Sequence, residues 1–370
     1  MIPGPIPGED VGAIASVEAI HIAVPSVYGG PPPKRPPQWP LLHQLLLRVE
    51  TDKGLVGWGE SFGHTSCATT RTAVETLVAP LCIGKRSDEF ATLAEQLSRS
   101  LHTFGLDGPL AYAISGIEIA LWDIAAKSRQ QPLFALLNNG EGQRNVPAYA
   151  SLLRYDDPQL VGRAAADAVS RGHHAVKLHE ADVESVAAAR EALGPGVALT
   201  LDVNCRWSPD EAVGIASKLK RYDLAWIEEP CWPPHPEHLA MIGEESGVPM
   251  AAGENAGSLA ELERIAVQGR AKYLQPSATK LGGVSALLAA NEIARRHGVR
   301  IATHSAYFGP GLAATLHFCS AFGLDCEWYD CRLEANVAGL LPRYGAFEIP
   351  GLPGLGIKVD EDLLRDYRLF

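Results

Sequence analysis

Three evenly spaced carboxylates are the residues of this 370-residue chain best suited to act together. Asp202 closes the apolar run ALTLD, Glu228 closes LAWIE, and Glu254 follows PMAAG. Twenty-six residues separate each carboxylate from the next, which is about the length of one strand–helix unit in an eight-unit barrel. An all-oxygen ligand set suits a hard cation, Mg²⁺ or Mn²⁺, whereas zinc favours His and Cys. We therefore expect a Mg²⁺ site formed by these three side chains.

Basic residues end the strands on either side of this triplet. Lys177 and His179 close HAVKLH ahead of Asp202, and His304 follows VRIAT. A carboxylate substrate bound at the cation would then have a basic group on each face. This combination is suited to removal of the proton α to a carboxylate, because a divalent cation stabilises the enediolate while a base takes the proton. Either Lys177 or His179 can be that base.

Composition limits the classes of function. A net charge of −11 argues against nucleic acid or an anionic membrane as a partner, but leaves a small-molecule carboxylate substrate open. Seven cysteines without paired spacing indicate free thiols in a reducing compartment. The first ten residues, MIPGPIPGED, show no signal-peptide pattern. We expect a soluble, cytoplasmic enzyme, acting as a homo-oligomer, with no nucleic-acid or membrane partner.

The elements that position these residues alternate regularly from Asn145 onward. Strands are predicted near 147–152, 174–179, 198–204, 224–228, 249–252, 272–275, 299–303 and 325–328. Helices are predicted near 157–171, 183–193, 208–221, 236–246, 258–268, 283–297 and 311–322. Eight strands and seven intervening helices predict an α/β fold of the modified TIM type, a (β/α)7β barrel over residues 131–329. The carboxyl ends of its strands converge on one mouth.

Residues 1–130 lack this alternation and predict an α+β capping domain, on which the tail 330–370 is expected to pack. Strands are predicted at 13–24 and 41–60, the second with a hairpin turn at 52–54, and helices at 68–82, 88–101 and 109–127. The segment 25–40 is rich in Pro and Gly and predicts a loop. Loops of this length are often lids, and Tyr28, Lys34 and Arg35 are its candidates for touching a ligand.

A set of motifs in fixed order resembles the enolase superfamily, in its mandelate racemase/muconate lactonizing enzyme branch. The motifs are VGWGES (56–61), AISGIEIALWDIAAK with QPLFALL (113–137), VKLH (176–179), LDVN (201–204), WIEEP (226–230), GEN (253–255), KLGG (280–283) and the strand before His304. The resemblance extends over nearly the whole chain. It implies the same capped barrel, and Mg²⁺ bound by Asp202, Glu228 and Glu254.

The resemblance also implies roles by position. Lys177 matches a residue that contacts the substrate carboxylate, and His179 stands where the family has a second Lys, the base for one face. Asn204 matches a substrate contact, His304 the base or acid of the opposite face, and Glu327 the carboxyl group that hydrogen-bonds the enediolate. The remaining implied contacts lie in the capping loops 25–40 and 60–66, which include Tyr28 and His64.

Two positions depart from the family pattern. His179 replaces a Lys, which leaves open whether it or Lys177 is the base. Ser277 stands where racemase-like members carry an Asp that orients the histidine, and where muconate-lactonizing-like members carry a Lys base. Without that Asp, His304 loses the partner that would raise its pKa and fix its tautomer. We expect Ser277 to hydrogen-bond the ring more weakly.

The leading hypothesis is a Mg²⁺-dependent lyase that dehydrates a sugar acid or another hydroxy acid. In it, Lys177 or His179 takes the α-proton and His304 protonates the departing hydroxyl. The alternative is an isomerase with the same residues, either a racemase/epimerase or a lactone cycloisomerase. A catalytically silent family member, motivated by Ser277, and a zinc hydrolase on a similar barrel are the remaining possibilities.

Overall fold

The computed structural model describes residues 11–33, 36–37 and 39–369. Within them, twelve strands join into one sheet, whose order along the main path is β10-β9-β8-β7-β6-β5-β4-β11-β1-β2-β3, with β12 paired to β4. The strands are β1 Ile14–Tyr28, β2 Leu41–Thr51, β3 Val56–Ser61, β4 Asn145–Leu152, β5 Ala175–Leu178, β6 Ala198–Asp202, β7 Trp226–Glu228, β8 Met250–Ala252, β9 Tyr273–Leu274, β10 Arg300–Ile301, β11 Cys326–Leu333 and β12 Ala346–Glu348.

The eight strands from β4 to β11 are the parallel strands of the predicted TIM-type barrel, and they pair in chain order, with β11 beside β4. Each differs from its predicted bounds by a few residues at most, except β11, which is longer. The parallel strands and the helices between them confirm the predicted fold class. Because the strands are parallel, their carboxyl ends share one edge.

The helices connect these strands in the order that the sequence predicts. They are α1 Cys67–Ala73, α2 Ala79–Cys82, α3 Phe90–Leu101, α4 Gly108–Ser128, α5 Leu133–Leu137, α6 Pro158–Ser170, α7 Val183–Leu193, α8 Pro209–Leu219, α9 Pro236–Ser246, α10 Leu259–Val267, α11 Gly283–His297, α12 Pro310–Phe322 and α13 Glu361–Tyr367. Side-chain hydrogen bonds cap the first turn of several of these helices. Ser208 and Glu211 form a reciprocal capping box at α8, and Ser258 accepts from the backbone of Glu261 at α10.

The capping region is a hairpin of β2 and β3 that packs on α4. Close packing explains the two glycines of VGWGES, because a Cβ on Gly59 would lie 1.8 Å from the carbonyl oxygen of Gly116, and one on Gly57 would lie 2.1 Å from that of Ala120. Helix α4 is long and apolar enough to cross a membrane by length and composition alone, but 83% of its most apolar window is buried inside the protein. It is therefore a core helix of this fold.

The predicted loop 25–40 is wrong at its first four positions, because β1 continues to Tyr28. The strand changes partner there: Pro25 pairs with Leu41 of β2, whereas Ser26 pairs with Leu333 of β11. The sequence could not predict this extension, since β11 comes from more than 300 residues further along the chain.

Candidate active site

The three carboxylates lie side by side at the carboxyl edge of the sheet. Register places Asp202 opposite Glu228, and Glu228 opposite Ala251 of the next strand, with Glu254 three residues beyond it. All three are buried. Among the described residues, Glu228, Glu254 and His304 each place one ligand atom within 4.8 Å of the others, and Asp202 does not belong to this group. The structure therefore contains a buried acidic and histidine cluster that could hold a metal ion.

The three carboxylates differ in their electrostatic surroundings. Burial, together with the charge of Asp202, holds the pKa of Glu228 well above its usual value. Burial also opposes the ionisation of Asp202 and Glu254, but basic neighbours, Lys177 beside Asp202 and His304 beside Glu254, outweigh it and lower their pKa values. Because the donors of Asp202, Glu228 and Glu254 are all oxygen atoms, they fit Mg²⁺ better than zinc.

Lys177 is enclosed by carboxylates. Its Nζ lies 2.6 Å from Glu327 Oε1, 3.1 Å from Glu228 Oε2 and 3.4 Å from Asp202 Oδ2, and the side chain is fully buried. Burial alone would lower its pKa, but the three carboxylates outweigh burial and raise the pKa well above its usual value. Lys177 does not line the cavity described below, so its ammonium group balances acidic side chains and is poorly placed to take a proton from substrate.

His179 lines the cavity in one defined tautomer. Its Nδ1 lies 2.6 Å from the carbonyl oxygen of Leu152, which can only accept, so Nδ1 carries the proton. The other ring nitrogen, Nε2, lies 3.4 Å from Asp202 Oδ2. With Nδ1 held by the backbone, Nε2 is the ring nitrogen left for proton transfer.

His304 contacts two carboxylates instead of one. Its Nδ1 lies 3.0 Å from Glu254 Oε2 and 3.4 Å from Glu327 Oε2. Burial lowers the pKa of His304, but Glu254 and Glu327 outweigh burial and raise it to about 9. The expectation that His304 lacks a partner able to raise its pKa is therefore wrong: carboxylates from other strands replace the missing Asp.

Ser277 does not contact the His304 ring as expected. Its backbone pairs with that of His304 in an isolated parallel bridge, but its hydroxyl makes a short hydrogen bond with the Tyr307 hydroxyl. Tyr307 in turn meets the His304 ring edge-on, at 5.9 Å between centroids. Ser277 does not line the cavity, so it supports the wall behind the histidine, and a direct contact with substrate is not what the structure indicates.

Glu327 and Asn204 lie at the cavity surface. Besides Lys177, Glu327 accepts the backbone N–H of Ser305 at 3.0 Å. Burial opposes its ionisation, but Lys177 and His304 hold the pKa of Glu327 below its usual value. Asn204 adopts a left-handed conformation with φ of 48°, which asparagine tolerates well, and its N–H donates to Asp202 Oδ1 at 2.9 Å.

A cavity of about 430 Å³ opens beside these residues, within the usual range for small-molecule sites. Its lining joins barrel and capping residues: Trp39, Leu42, Phe62, His64, Arg154, His179, Asp202, Val203, Asn204, Arg206, Glu254, Lys280, His304, Ala306, Glu327 and Tyr329. Sequence reasoning missed Arg154, Arg206 and Lys280. Arg154 lies two residues after the end of β4 and Arg206 four residues after the end of β6, so their position after barrel strands was the signal that could have found them.

The capping region contributes His64 and Trp39, whose rings meet edge-on with centroids 4.1 Å apart. Burial lowers the pKa of His64. Tyr28, expected to touch substrate, is buried and does not line the cavity; its hydroxyl donates to the carbonyl oxygen of Arg154 at 2.9 Å. Lys34 and Arg35 lie outside the described residues.

Comparison with known proteins places this site in a family. Residues 43–138 match the model of the mandelate racemase / muconate lactonizing enzyme N-terminal domain, and residues 160–363 match the enolase C-terminal domain-like model. The chain belongs to the enolase superfamily. Its mandelate racemase/muconate lactonizing enzyme branch is the one that the motifs indicate, and the predicted resemblance is thereby confirmed.

Individual relatives of this superfamily member are named for reactions of sugar acids. D-galactarolactone cycloisomerase of Agrobacterium fabrum is 30% identical over 348 residues, covering 88% of this chain and 91% of that protein. Arabinonate dehydratase of Saccharolobus solfataricus is 26% identical, covering 88% and 90%. The solved 3,6-anhydro-D-galactonate cycloisomerase of Zobellia galactanivorans has a TM-score of 0.84 at 25% identity, covering 96% and 99%. These relatives support an enzymatic role on small-molecule acids.

Proposed function

We propose that this protein is a Mg²⁺-dependent enzyme that removes the proton α to the carboxylate of a sugar acid and eliminates the β-hydroxyl as water. The observation that carries this proposal is that His179 and His304 line one cavity beside the buried carboxylates. They follow β5 and β10, which lie on either side of the strands carrying those carboxylates. An α-proton and a β-hydroxyl on different faces of one substrate would then each meet a histidine.

Asp202, Glu228 and Glu254 would hold the Mg²⁺ ion. When bound, the ion acts as a Lewis acid that stabilises negative charge developing on the substrate carboxylate. Lys177 keeps these acidic side chains together in the buried site. Glu327 would hydrogen-bond the same developing charge only in its protonated form, whereas Lys177 and His304 favour its ionised form. Asn204 and His64 would contact the remaining polar groups of the substrate.

His179 would be the base, because it lines the cavity with Nδ1 held by the backbone, whereas Lys177 is enclosed by carboxylates. The α-C–H bond breaks, its proton moves to Nε2 of His179, and the electron pair forms the double bond to the β-carbon. The β-C–O bond breaks as His304 donates its proton to the leaving hydroxyl, so that water departs. The resulting enol tautomerises to a 2-keto-3-deoxy acid.

Isomerisation is the second candidate, and the D-galactarolactone cycloisomerase relative favours it. In a cycloisomerase the same base takes the α-proton, but the leaving group is the ring oxygen of a lactone and no water is formed. A racemase would instead use His304 to return a proton to the opposite face. These reactions share the first step and differ in the product.

The test is incubation of the Mg²⁺-loaded protein with a sugar-acid and lactone panel in D₂O, followed by NMR. A 2-keto-3-deoxy acid is expected from at least one acid. Deuterium at the α-carbon of recovered or isomeric acid, without keto acid, would replace the lyase with an isomerase. If Mg²⁺ raises the unfolding temperature but no compound undergoes α-proton exchange, the protein is a family member without catalytic activity. If the purified protein contains one equivalent of tightly bound zinc, a zinc hydrolase becomes the better assignment.

Two variants distinguish the proposed roles of His179 and His304. His179→Asn is expected to abolish α-proton exchange, since it removes the base. His304→Asn is expected to retain exchange while losing keto-acid formation, because only the leaving hydroxyl lacks its proton. His235→Asn, at the exposed start of α9, is the matched control and should leave both rates unchanged. Exchange that survives in His179→Asn would remove His179 from the proposed role.

The cellular and domain assignments belong to the same proposal. All seven cysteines are free thiols, which supports a reducing, cytoplasmic location. The boundaries 1–130, 131–329 and 330–370 and a homo-oligomeric state are proposed with it. Limited proteolysis and light scattering would test them.

A further inference from the structure

Two arginines in the cavity lining have no role in the chemistry proposed above. Arg154 follows β4 and Arg206 follows β6, and both line the cavity. The other cation of the lining, Lys280, is already occupied, because its Nζ lies 3.2 Å from Glu254 and donates to Asn255 Oδ1 at 3.0 Å. The two guanidinium groups are therefore the available positive charge of the cavity.

Arg154 is fixed in the wall by several hydrogen bonds. Its Nε donates to the carbonyl oxygen of His179 at 2.6 Å, and its own carbonyl accepts from Tyr28 at 2.9 Å. The buried carboxylate of Glu180 accepts the next two backbone N–H groups, those of Tyr155 at 2.7 Å and Asp156 at 3.2 Å. A side chain held this way is pre-organised, so little conformational entropy remains to be lost on binding.

The terminal nitrogens of Arg154 are unoccupied within the part of the chain that the structure describes. The nearest carboxylate, Asp156 Oδ1, lies 3.9 Å from Nε, too far for a hydrogen bond. The side chain is 22% exposed, which leaves a partly desolvated guanidinium facing a polar cavity. Such a group binds carboxylate or phosphate oxygens in pairs.

Arg206 lies next to the metal-ligand strand. The residues before it, Asn204 and Cys205, are both left-handed, with φ of 48° and 57°, and the buried Trp207 after it forms a bridge with Cys231. Its position is thus anchored on both sides although its side chain is exposed. Among residues 11–33, 36–37 and 39–369, no carboxylate forms an ion pair with Arg206.

The surroundings make this pair of cations unusual. The protein carries a net charge of −11, so two arginines in one cavity, neither hydrogen-bonded to a described carboxylate, are not a consequence of a basic surface. The acidic side chains of the cavity are already matched: Lys177 contacts Asp202 and Glu327, and Lys280 contacts Glu254. A ligand with a single carboxylate, bound at the Mg²⁺ site, would leave the two guanidinium groups without an anion.

We propose that the substrate is a sugar acid with a second anionic group at the end remote from the reacting carboxylate, and that Arg154 and Arg206 bind this group. An aldaric acid supplies it as a carboxylate, and a phosphorylated aldonic acid supplies it as a phosphate ester. This inference rests on the proposed function, because it assumes that the first carboxylate is held at the Mg²⁺ site.

The test compares an aldarate, the aldonate of the same configuration and the corresponding terminal phosphate ester, by α-proton exchange and by steady-state kinetics. A doubly anionic acid is expected to have a kcat/KM at least about tenfold above that of the aldonate, because a charge-assisted hydrogen bond is worth roughly a factor of ten. The doubly anionic compound with the higher kcat/KM identifies the terminal group as a carboxylate or a phosphate ester. An aldonate that is as good as or better than both would overturn the inference.

Arg206→Gln should raise KM for the doubly anionic acid by about tenfold or more, with kcat nearly retained. KM for the aldonate should stay unchanged in Arg206→Gln, which a general loss of structure would not produce. Arg154→Gln should raise the same KM, but it also removes the Nε bond to the His179 carbonyl and is expected to lower kcat for both kinds of acid. Arg163→Gln, exposed on α6, is the matched control. Equal effects of Arg206→Gln on both kinds of acid would contradict the proposal.

Calorimetry keeps this inference separate from the proposed function. If no acid undergoes α-proton exchange, the proposed function fails. Binding of the aldarate and the aldonate to the Mg²⁺-loaded protein then still decides the arginine site: tighter binding of the aldarate that is lost in Arg206→Gln supports the site, and equal binding overturns it.

Discussion

The Nζ of Lys177 lies 2.6 Å from Oε1 of Glu327, and both side chains are buried. This contact joins β5 to the start of β11, so a single ammonium group connects strands on the two sides of β4. The same Nζ also contacts Glu228 and Asp202. One cation therefore balances much of the acidic charge of the site, which supports the proposal that His179, and not Lys177, is the base.

Replacing Lys177 should destabilise the protein through this cluster. In Lys177→Met the buried carboxylates lose their counter-ion, and breaking a buried ion pair in this way costs about 3–5 kcal/mol. We expect a lower unfolding temperature in EDTA and partial recovery with Mg²⁺, since an ion bound to the folded state stabilises it. Calorimetric unfolding of the variant, beside the exposed Lys218→Met control, measures both effects. A variant as stable as the parent in EDTA would contradict the counter-ion role.

Glu228→Gln should separate metal binding from folding. Burial already favours the neutral form of Glu228, so a neutral amide of the same shape should be tolerated by the fold. Mg²⁺ affinity should fall by more than about 100-fold, beyond the effect usual for residues that only support a ligand, and α-proton exchange should be lost. Titration calorimetry and NMR exchange give the two readouts. The control is Glu245→Gln on the exposed face of α9. If Glu228→Gln still turns over substrate, Glu228 is not a ligand of the cation.

The Ser277–Tyr307 pair should contribute to stability and little to catalysis. Ser277→Ala and Tyr307→Phe each remove one partner of a buried hydrogen bond, at a cost of about 1–3 kcal/mol. The double variant should cost less than the sum of the two, because the second substitution removes a group that the first left unpaired. Denaturant unfolding of the parent, the two single variants and the double variant gives the free energies of unfolding for this double-mutant cycle. If Ser277→Ala instead slowed turnover by about two orders of magnitude, Ser277 would have to act on substrate or on the His304 ring.

His317 should make the fold sensitive to acid. Its ring is buried and neutral, accepting the N–H of Phe134 at Nδ1 and donating from Nε2 to the carbonyl oxygen of Leu355 at 3.1 Å. Burial lowers its pKa from 6.5 to about 4. Because the folded pKa is depressed, its contribution to stability is present above pH 6.5 and is lost as the pH falls towards 4, by up to about 3 kcal/mol.

The variant His317→Gln tests whether His317 causes this loss of stability at acidic pH. A glutamine side chain can keep one acceptor and one donor but does not titrate, so the loss of stability between pH 6.5 and 4 should become shallower. Urea unfolding at several pH values measures it, with the exposed His235→Gln as control. The same slope in His317→Gln and in the parent protein would assign the acid sensitivity to other groups.

Much of the barrel could be predicted from the sequence because strand–helix alternation is a local pattern. The ligand carboxylates were found by the same route: a residue that ends a parallel strand must lie at the carboxyl edge, whichever strand it follows. The side chains that touch them were harder to predict. Lys177 and His179 are two residues apart on one strand end, yet one is enclosed by carboxylates and the other lines the cavity.

The sequence by itself determined the order of the barrel, its family and the acidic side chains at its mouth, since each depends on periodicity and spacing along the chain. Only the tertiary structure decided which partner each polar group meets. The change of partner by β1 at Pro25, the hydroxyl pair of Ser277 and Tyr307, and the fixing of Arg154 by Tyr28 all join segments that spacing along the chain does not relate. Hydrogen bonds and ion pairs depend on distances of a few tenths of an ångström between such segments, and those distances are set by how the whole chain packs.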